Sequence, residues 1–299
     1  MLKTYHFSSP HTGAHTGRKL LVLGGIHGNE KCGSMAIANI IAEFEAALFT
    51  LDHGSVTFVP ICNPKAYLHH KRYIDHNLNR LIGAQNAPSG YESTLAPFIQ
   101  KLIDTHDILL DLHSYANGTT PFLFLDQDDA DHRAFARALN LPAWLLSWNE
   151  SYRKAALSLG TLTPDATVCD TSGYAARMGK IELTIECGQH DDPNAPLLAK
   201  NAILSALHHF GLITHLPPYH TPVSQTPTLY RMTDIIIKKK LGRLARSYLH
   251  FDAVQKNETI ALYDDGTKFI APADGVIIMP DDTCALHQEW FYLGAPIID

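Results

Sequence analysis

The chain lacks a long apolar run, because no stretch approaches the ~20 residues that a membrane-spanning helix needs. We therefore expect no membrane partner. The amino-terminal segment MLKTYHFSSPHTG also lacks the apolar core of a signal peptide, which favours a cytoplasmic protein. The five cysteines are odd in number and show no CxxC spacing, so they neither form a disulfide framework nor match a cysteine-based zinc motif. Free thiols in a reducing compartment explain them best.

Basic residues are also scarce. The chain has 24 Lys and Arg residues and 30 Asp and Glu residues. The resulting net charge of -6 argues against a nucleic-acid partner. Internal repeats and low-complexity segments are absent as well. What remains is an ordinary globular composition with 45% apolar and 18% charged residues. A length of 299 residues suits one large domain with a smaller one beside it.

Short apolar runs alternate with helical patterns from Lys19 to about Phe210. The predicted strands are Lys19–Gly24, Val56–Ile61, Ile108–Leu112, Phe122–Leu125, Trp144–Ser147 and Ile181–Ile185. The predicted helices are Ser34–Phe49, Ser93–Thr105, Asp131–Leu139 and Pro196–Phe210. This alternation predicts an α/β fold with a mostly parallel sheet and helices on both faces.

The chain changes character after this region. The Pro- and Thr-rich segment Leu216–Thr228 is typical of a linker. Beyond it, short strands are predicted between DDG, ADG and PDD turns, at Asp234–Ile237, Thr259–Leu262, Lys268–Ile270 and Val276–Met279. The predicted organisation is a large α/β domain over residues 1–215, a linker over 216–228 and a small all-β domain over 229–299.

The most informative segment is GGIHGNEKCG, which places His27 and Glu30 in a glycine-lined turn between a strand and a helix. Ligands bind at the carboxyl ends of strands in open α/β sheets. An imidazole and a carboxylate there are two thirds of a His, His, Glu zinc site that leaves one position open for water. The third ligand is predicted at His113, where the apolar run DILLDLHSY ends. Taken alone, such a histidine more often caps a loop, but the HGNE segment upstream favours a ligand.

A candidate general base lies on another strand. In KIELTIECG, Glu186 is at the carboxyl end, on the same strand face as Glu182 and Thr184. A carboxylate beside zinc suits proton transfer from water to a leaving amine. The alternative is a surface glutamate at a strand end.

A third cluster is KRYIDHNLNR, which contains Arg72, Asn79 and Arg80. Arginine holds carboxylates through a bidentate fork, so Arg72 and Arg80 are candidates for binding a substrate carboxylate, with Asn79 as a neutral donor. The alternative is a solvated basic loop.

Together these segments resemble the succinylglutamate desuccinylase/aspartoacylase family. The matching pieces are HGNE, RYIDHNLNR, DLHS and IECG, which occur in the family's order between Lys19 and Phe210. The resemblance implies a zinc-carboxypeptidase-like three-layer α/β/α sandwich with a small carboxy-terminal all-β domain that shapes access to the site.

The resemblance also implies roles for individual residues. It implies that His27, Glu30 and His113 bind one Zn²⁺ per chain, and that Glu186 is the general base. The substrate-side roles that it implies are carbonyl polarisation by Arg72, binding of the substrate carboxylate by Asn79 and Arg80, and further substrate contacts by Tyr174 and Arg177. Another divalent metal is compatible with the same ligands.

One residue departs from the family's pattern. The arginine motif usually has the form DxNR, whereas this chain has NLNR over Asn77–Arg80. In related zinc carboxypeptidases the aspartate orients a zinc-bound histidine from the second coordination shell. Asn77 keeps an amide oxygen for this hydrogen bond but carries no charge, and outer-shell changes alter metal affinity or activity ~10–100-fold.

The sequence therefore favours a zinc-dependent amidohydrolase that removes an acyl group from an N-acyl amino acid. A metallocarboxypeptidase acting on small peptides would use the same ligands, and a binding protein with a degenerate metal site is favoured only by Asn77. A cysteine hydrolase built on Cys187 is disfavoured, because a residue next to Glu186 on a strand points to the opposite face. A homo-oligomer is compatible with the sequence, which fixes neither the oligomeric state nor the acyl group and amino acid of the substrate.

Overall fold

The computed structural model describes residues 2–10, 17–158, 170–220 and 226–297. Within these ranges the strands are β1 Tyr5–Ser8, β2 Lys19–Gly24, β3 Ser55–Val59, β4 Ile108–Tyr115, β5 Phe122–Phe124, β6 Ala143–Leu146, β7 Ile181–Gln189, β8 Thr228–Ile237, β9 Gly242–Leu244, β10 Ala253–Val254, β11 Thr259–Tyr263, β12 Lys268–Ile270, β13 Gly275–Ile278 and β14 Glu289–Pro296. The α-helices are α1 Cys32–Glu45, α2 Pro64–Leu68, α3 Tyr91–Thr105, α4 Ala130–Leu139, α5 Trp148–Ser158, α6 Thr171–Arg177 and α7 Ala195–His209.

An eleven-stranded sheet is the centre of the fold, with the order β1-β3-β2-β4-β7-β5-β6-β8-β14-β13-β10. Strands β3, β2, β4 and β7 run parallel to one another. Strand β4 is buried over its whole length and β2 over all but its first residue, which explains their nearly continuous apolar sequences. The carboxyl ends of these parallel strands meet at one edge of the sheet.

Helices cover both faces of this sheet. On one face, α1 and α4 both pack against α7, and their apolar side chains form one large core with the sheet. On the other face, α3 packs against α6, over a second core that includes Leu21, Leu23 and Ile99. The predicted α/β architecture with three layers is therefore confirmed.

The carboxy-terminal region is all β in its described part, and it is continuous with the central sheet. Strand β8 pairs in parallel with β6, and β14 pairs antiparallel with β8. A separate three-stranded sheet has the order β12-β11-β9. The predicted linker ends at the first residue of β8, and its residues 221–225 lie outside the described ranges. Division of the chain into folding units at 215 and 229 stays a prediction.

Most predicted elements agree with the structure to within a few residues, although β8 begins six residues before the predicted Asp234. The other main differences are elements that the sequence did not reveal. Helix α1 begins two residues before the predicted Ser34 and ends four residues before the predicted Phe49. Helix α5 was not predicted because its sequence, WNESYRKAALS, is largely polar. Strand β14 was not predicted because it contains Gly294 and Pro296. In the described part of the chain, no helix is long and apolar enough to cross a membrane.

Candidate metal centre and active site

The HGNE turn connects β2 to α1 at the carboxyl edge of the sheet. Gly25 has a φ of +61°, which a side chain disfavours, and it directs the chain away from the strand. Gly28 is needed for a different reason, because a Cβ there would lie 2.0 Å from the Ala66 carbonyl carbon. The Gly28 N–H donates to the Arg72 carbonyl at 3.2 Å, so the turn is joined to the loop that carries the candidate arginines.

Three buried side chains converge at this edge. The ring atom Nδ1 of His27 lies 2.8 Å from Oε1 of Glu30, and Nδ1 of His113 lies 2.9 Å from Oε2 of the same carboxylate. One ligand atom from each residue lies within 4.8 Å of the other two. Within the described residues, this is the one His, Cys, Asp and Glu group that could hold a metal ion.

The outer hydrogen bonds of the two imidazoles show that the group fits a cation. Nε2 of His27 lies 3.0 Å from Oδ1 of Asn77, which also accepts the Asn79 N–H and is therefore an acceptor. Nε2 of His113 lies 3.0 Å from Oδ2 of Asp111. A neutral ring that donates from Nε2 has a lone pair on Nδ1, and here both lone pairs face carboxylate oxygens. Acceptors that face each other in a buried place need a cation between them, which either a proton or a metal ion supplies, and imidazoles held this way are the usual form of metal ligands.

The pKa shifts of His27, Glu30 and His113 also reflect the charges around the candidate cation site. Burial, together with the neighbouring Arg72, lowers the pKa of His27 to about 4, so this ring is neutral at pH 7. Burial would lower the pKa of His113 too, but Asp111 and Glu30 outweigh it and raise the pKa well above its usual value. Burial alone would raise the pKa of Glu30, whereas the two imidazoles lower it far below the ordinary range. The carboxylates on both sides of His113 thus favour positive charge at this position.

Glu186 lies beside the metal ligands. Its partner across the parallel pairing of β4 and β7 is His113, so both side chains are on the same face of neighbouring strands. Glu186 is buried, and its Oε2 has no hydrogen-bond partner. Burial and the nearby Glu30 carboxylate raise its pKa well above the ordinary value. A carboxylate with a free buried oxygen beside a cation site is placed to accept a proton.

Two connected spaces lead to these residues. The outer cleft has a volume of about 340 Å³, and Asn29, Tyr73 and His190 are among its lining residues. The inner pocket, of about 60 Å³, contains His27, His113 and Glu186. Arg72, Arg80, Met279, Glu289 and Tyr292 line both spaces, and the last three belong to the carboxy-terminal region. That region therefore forms one wall of the site.

The arginines of the KRYIDHNLNR segment are both in this cleft. Nη1 of Arg72 lies 3.1 Å from Oε1 of Glu30, and the side chain is 39% exposed, so it reaches the metal group from the solvent side. Arg80 donates through Nη2 to Oε1 of Glu289 at 2.5 Å, and Tyr292 donates its hydroxyl to Oε2 of the same carboxylate. Asn79 lines the inner pocket and accepts the Thr171 N–H at 3.0 Å.

Tyr174 and Arg177, predicted as further substrate contacts, do not line either space. The Tyr174 hydroxyl donates to Asp104 on α3, and the Arg177 guanidinium lies 5.7 Å from the Tyr174 ring centre. Both side chains pack over Gly83, on the side of α6 away from the cleft. Their role as substrate contacts stays a prediction, which these contacts do not support, since the position of a residue before Glu186 does not fix which side of this short helix faces the pocket.

Other residues of the site were not identified from the sequence. Asp111 orients His113 and was detectable in principle, because it precedes that ligand by two residues on a strand and so shares its face. Glu289 and Tyr292 are about 210 residues from Arg80 along the chain, and no local pattern connects them. Cys187, the residue of the disfavoured alternative, packs on the opposite side of β7, in the same hydrophobic core as Cys32.

A buried carboxylate holds the loop that carries the asparagine and arginines. Glu92 accepts the backbone N–H groups of Ile74, Asp75 and His76 and the Asn63 amide, at 2.6 to 3.1 Å. Burial would raise the pKa of Glu92, but these donors outweigh it and lower the pKa. The ionised carboxylate therefore stabilises the loop that leads into the NLNR segment.

We expect Glu92→Gln to lower the free energy of unfolding at pH 7, by about 1–3 kcal/mol for each buried donor left unpaired. Because the folded pKa is lowered, this stabilisation is present above the unfolded pKa, near 4.5, and is lost as the pH falls through the folded value. Urea unfolding of the variant and the wild type at pH 7 and pH 4 measures both effects. Glu45→Gln, at an exposed position, is the control. Equal unfolding free energies at pH 7 would contradict the expectation.

Comparison with known proteins identifies the family. Residues 16–206 match the family model described as "Succinylglutamate desuccinylase/Aspartoacylase catalytic domain". A probable aspartoacylase of Trichodesmium erythraeum is 31% identical over 105 residues, which are 32% of this chain and 35% of that protein. The succinylglutamate desuccinylase of Vibrio parahaemolyticus is 25% identical over 167 residues, which are 48% of each chain. The matches thus span a third to a half of the length of these relatives.

Solved structures show the same fold over the whole chain. The succinylglutamate desuccinylase of Vibrio parahaemolyticus superposes with a TM-score of 0.72 at 18% identity, covering 99% of this chain and 86% of that one. A succinylglutamate desuccinylase/aspartoacylase from Rhodobacter sphaeroides gives 0.71 at 16% identity, covering 99% and 96%. The family model covers almost two thirds of the chain, and its range includes all three candidate metal ligands and Glu186. The chain therefore belongs to the succinylglutamate desuccinylase/aspartoacylase family.

Proposed function

We propose that this protein is a zinc-dependent amidohydrolase that cleaves an N-acyl amino acid into a carboxylic acid and a free amine. The observation that carries the proposal is the buried group His27, Glu30 and His113 with the unpartnered Glu186 oxygen beside it. Two imidazoles and one carboxylate are a ligand set of catalytic zinc sites. The relatives named as aspartoacylase and succinylglutamate desuccinylase support the reaction class.

His27, Glu30 and His113 would hold the ion, and a bound Zn²⁺ would supply Lewis-acid activation of water and of the amide carbonyl. Glu186 accepts a proton from the attacking water and returns it to the leaving nitrogen. Its burial raises the pKa of the carboxyl, which makes the carboxylate a stronger proton acceptor. Arg72, on the solvent side of Glu30, is placed to stabilise the negative charge that develops on the carbonyl oxygen.

Asn77 and Asp111 hold the two imidazoles at their outer nitrogens. Asn77 is neutral, whereas an ionised Asp111 is negatively charged. The two imidazoles therefore differ in electron density. An ionised acceptor makes an imidazole a stronger metal ligand than a neutral acceptor does. His27 is therefore expected to be a weaker metal ligand than His113.

We expect Asn77→Asp to tighten zinc binding by ~10–100-fold, the range of outer-shell effects. The carboxylate would replace the amide oxygen that lies 3.0 Å from Nε2 of His27. Competition for zinc against a fluorescent chelator, with wild type and variant side by side, measures the change. Asn257→Asp adds the same charge far from the site and should leave the affinity unchanged. Equal zinc affinities for wild type and Asn77→Asp would show that the Asn77 contact does not tune the metal.

The experiment for the reaction class is a panel of N-acyl amino acids incubated with zinc-reconstituted protein, with free amine as the readout. Small peptides in the same panel test the metallocarboxypeptidase alternative, because their hydrolysis releases a carboxy-terminal residue rather than an acyl group. Release of amine from N-acyl amino acids, with peptides left intact, is the expected result.

A further inference from the structure

Arg80 contacts two aromatic rings in addition to its ion pair. The guanidinium carbon lies over both rings, 5.0 Å from the centre of Trp148 and 4.5 Å from the centre of Tyr152. The two residues are four positions apart on α5, so they share one face of the helix. Their rings also stack on each other, with the centres 5.0 Å apart and 19° between the planes. Trp148 and Tyr152 together form an aromatic surface against Arg80, which we call the aromatic floor.

The helix that carries the aromatic floor is fixed in place. Asp126 accepts the backbone N–H groups of Trp148 and Asn149 at 2.7 and 3.3 Å, which holds the first turn of α5. The buried Ser151 donates its hydroxyl to the Met232 carbonyl of β8 at 3.1 Å. Trp148 is itself buried in a core that joins this helix to the carboxy-terminal region. Because packed core side chains keep one rotamer, the floor is a rigid support.

The hydrogen bonds of Arg80 leave part of its donor set for a ligand. Nη1 donates to the Asn79 carbonyl at 2.7 Å, and Nη2 donates to the Glu289 carboxylate at 2.5 Å. A guanidinium has further N–H donors beyond these two, and Arg80 lines both the outer cleft and the inner pocket. The two hydrogen bonds hold one edge of the group, and the aromatic floor supports it from the side of α5. Together these contacts fix the direction in which the remaining N–H groups point.

The surroundings of Arg80 make the aromatic contacts strong. The face of an aromatic ring carries partial negative charge, and its attraction for a cation grows where water is excluded. The Arg80 side chain is only 19% exposed. Burial would lower the pKa of the guanidinium, but the charge of Glu289 outweighs it and raises the pKa. Arg80 is therefore a permanent cation in a place that is largely shielded from water.

We propose that Trp148 and Tyr152 are positioning residues, which orient the Arg80 guanidinium to bind the α-carboxylate of the substrate through two N–H groups. This inference rests on the proposed function, because every N-acyl amino acid carries an α-carboxylate whatever its acyl group. Bidentate binding needs a fixed orientation, since the guanidinium and the carboxylate must lie in one plane. Asn79 supports the placement, because its Oδ1 accepts the Thr171 N–H and its amide NH₂ is left as a donor for a ligand.

Pairs of substrates that differ only in the α-carboxylate test the proposal. N-acetylalanine, N-acetylaspartate and N-acetylglutamate are each compared with the corresponding α-carboxamide, with free amine as the readout. In the pair that is cleaved fastest, kcat/KM for the carboxylate should exceed that for the carboxamide by at least ~10-fold, because charged bidentate bonds are stronger than neutral ones. The ratio of the two values is taken within one variant, so a general loss of activity does not affect it. A ratio near one in the wild type would overturn the proposal.

Substitutions connect this ratio to the aromatic floor. Tyr152 is only half-buried, so Tyr152→Leu disturbs the core little, and it should lower the ratio by ~5–30-fold through loss of a cation–π contact. Tyr152→Phe keeps a ring and should stay within ~3-fold of the wild type, whereas Trp148→Phe should lower the ratio a few-fold because its ring is smaller. Tyr5→Leu is the matched control, since Tyr5 contacts Lys3 at 4.7 Å on the edge strand β1, and it should leave the ratio unchanged. An unchanged ratio in both Tyr152→Leu and Trp148→Phe, or an equal fall in Tyr152→Leu and Tyr152→Phe, would overturn the proposal.

A binding measurement separates this inference from the reaction itself. The same six compounds are titrated calorimetrically into zinc-loaded protein that carries Glu186→Gln, so that no ligand is consumed, and into the same protein with Tyr152→Leu added. If the wild type cleaves no amide, the proposed reaction is wrong, whereas a carboxylate-to-carboxamide affinity ratio that falls with Tyr152→Leu still supports the positioning role. An equal affinity ratio in the two proteins, or no binding of any of these compounds, would overturn it.

Discussion

Glu186→Gln is expected to abolish turnover while the metal stays bound. The amide keeps the shape of the side chain and removes the basic oxygen that has no partner in the buried pocket. A positioned general base contributes ~10²–10⁴-fold to the rate, so kcat should fall by about that factor. Steady-state kinetics on the best substrate of the panel, together with metal analysis of the same preparation, measures both quantities.

The matched control is Glu182→Gln on the same strand and the same face. Glu182 is buried like Glu186 but lines neither the outer cleft nor the inner pocket, so its amide variant removes a buried strand carboxyl without removing the proposed base. Its kcat should stay within a few-fold of wild type. A near-normal kcat for Glu186→Gln would remove this residue from the mechanism, and loss of metal from it would mean that the effect is not one of proton transfer.

His113→Ala is expected to lose the metal. The imidazole is one of three ligands, and its removal leaves Glu30 and Asp111 as buried carboxylates with one partner fewer. Because outer-shell changes alone cost ~10–100-fold in metal affinity, loss of a direct ligand should exceed ~100-fold. Metal content after dialysis, and zinc affinity against a chelator, measure the loss.

Two further variants make this result specific. His27→Ala should lose zinc to a similar degree, since its Nδ1 faces the same carboxylate. His132→Ala removes an equally buried histidine that contacts Asp129 far from the metal group, and it should retain one zinc per chain. Unchanged zinc content in both His27→Ala and His113→Ala would show that these histidines do not bind the metal.

The candidate metal ligands could be predicted from the sequence because each lies in a short motif at the end of a strand. HGNE is a four-residue turn after a strand, and His113 and Glu186 end two further strands, so topology alone brings them to one edge of the sheet. The strands themselves were recognisable because burial on both faces demands continuous apolar runs. Asn77 was noticed because it differs from the usual aspartate, and the structure places its amide oxygen at His27.

The substrate pocket was not predictable in the same way. Its wall includes Glu289 and Tyr292, which reach Arg80 through pairing of β14 with β8, a contact between distant parts of the chain. Arg80 therefore has a partner that its own segment does not reveal. Tyr174 and Arg177 illustrate the converse, since the resemblance to the family suggested them as substrate contacts, whereas their side chains pack over Gly83 and line neither space.

The most direct test of the account is metal-dependent release of amine. Protein freed of metal with a chelator is titrated with Zn²⁺ in the presence of the N-acyl amino acid panel, and free amine is followed over time. We expect no release without metal and full activity near one equivalent of zinc per chain, with no such gain for His113→Ala. Amine release that is independent of metal, or no release from any compound of the panel at any zinc concentration, would contradict it.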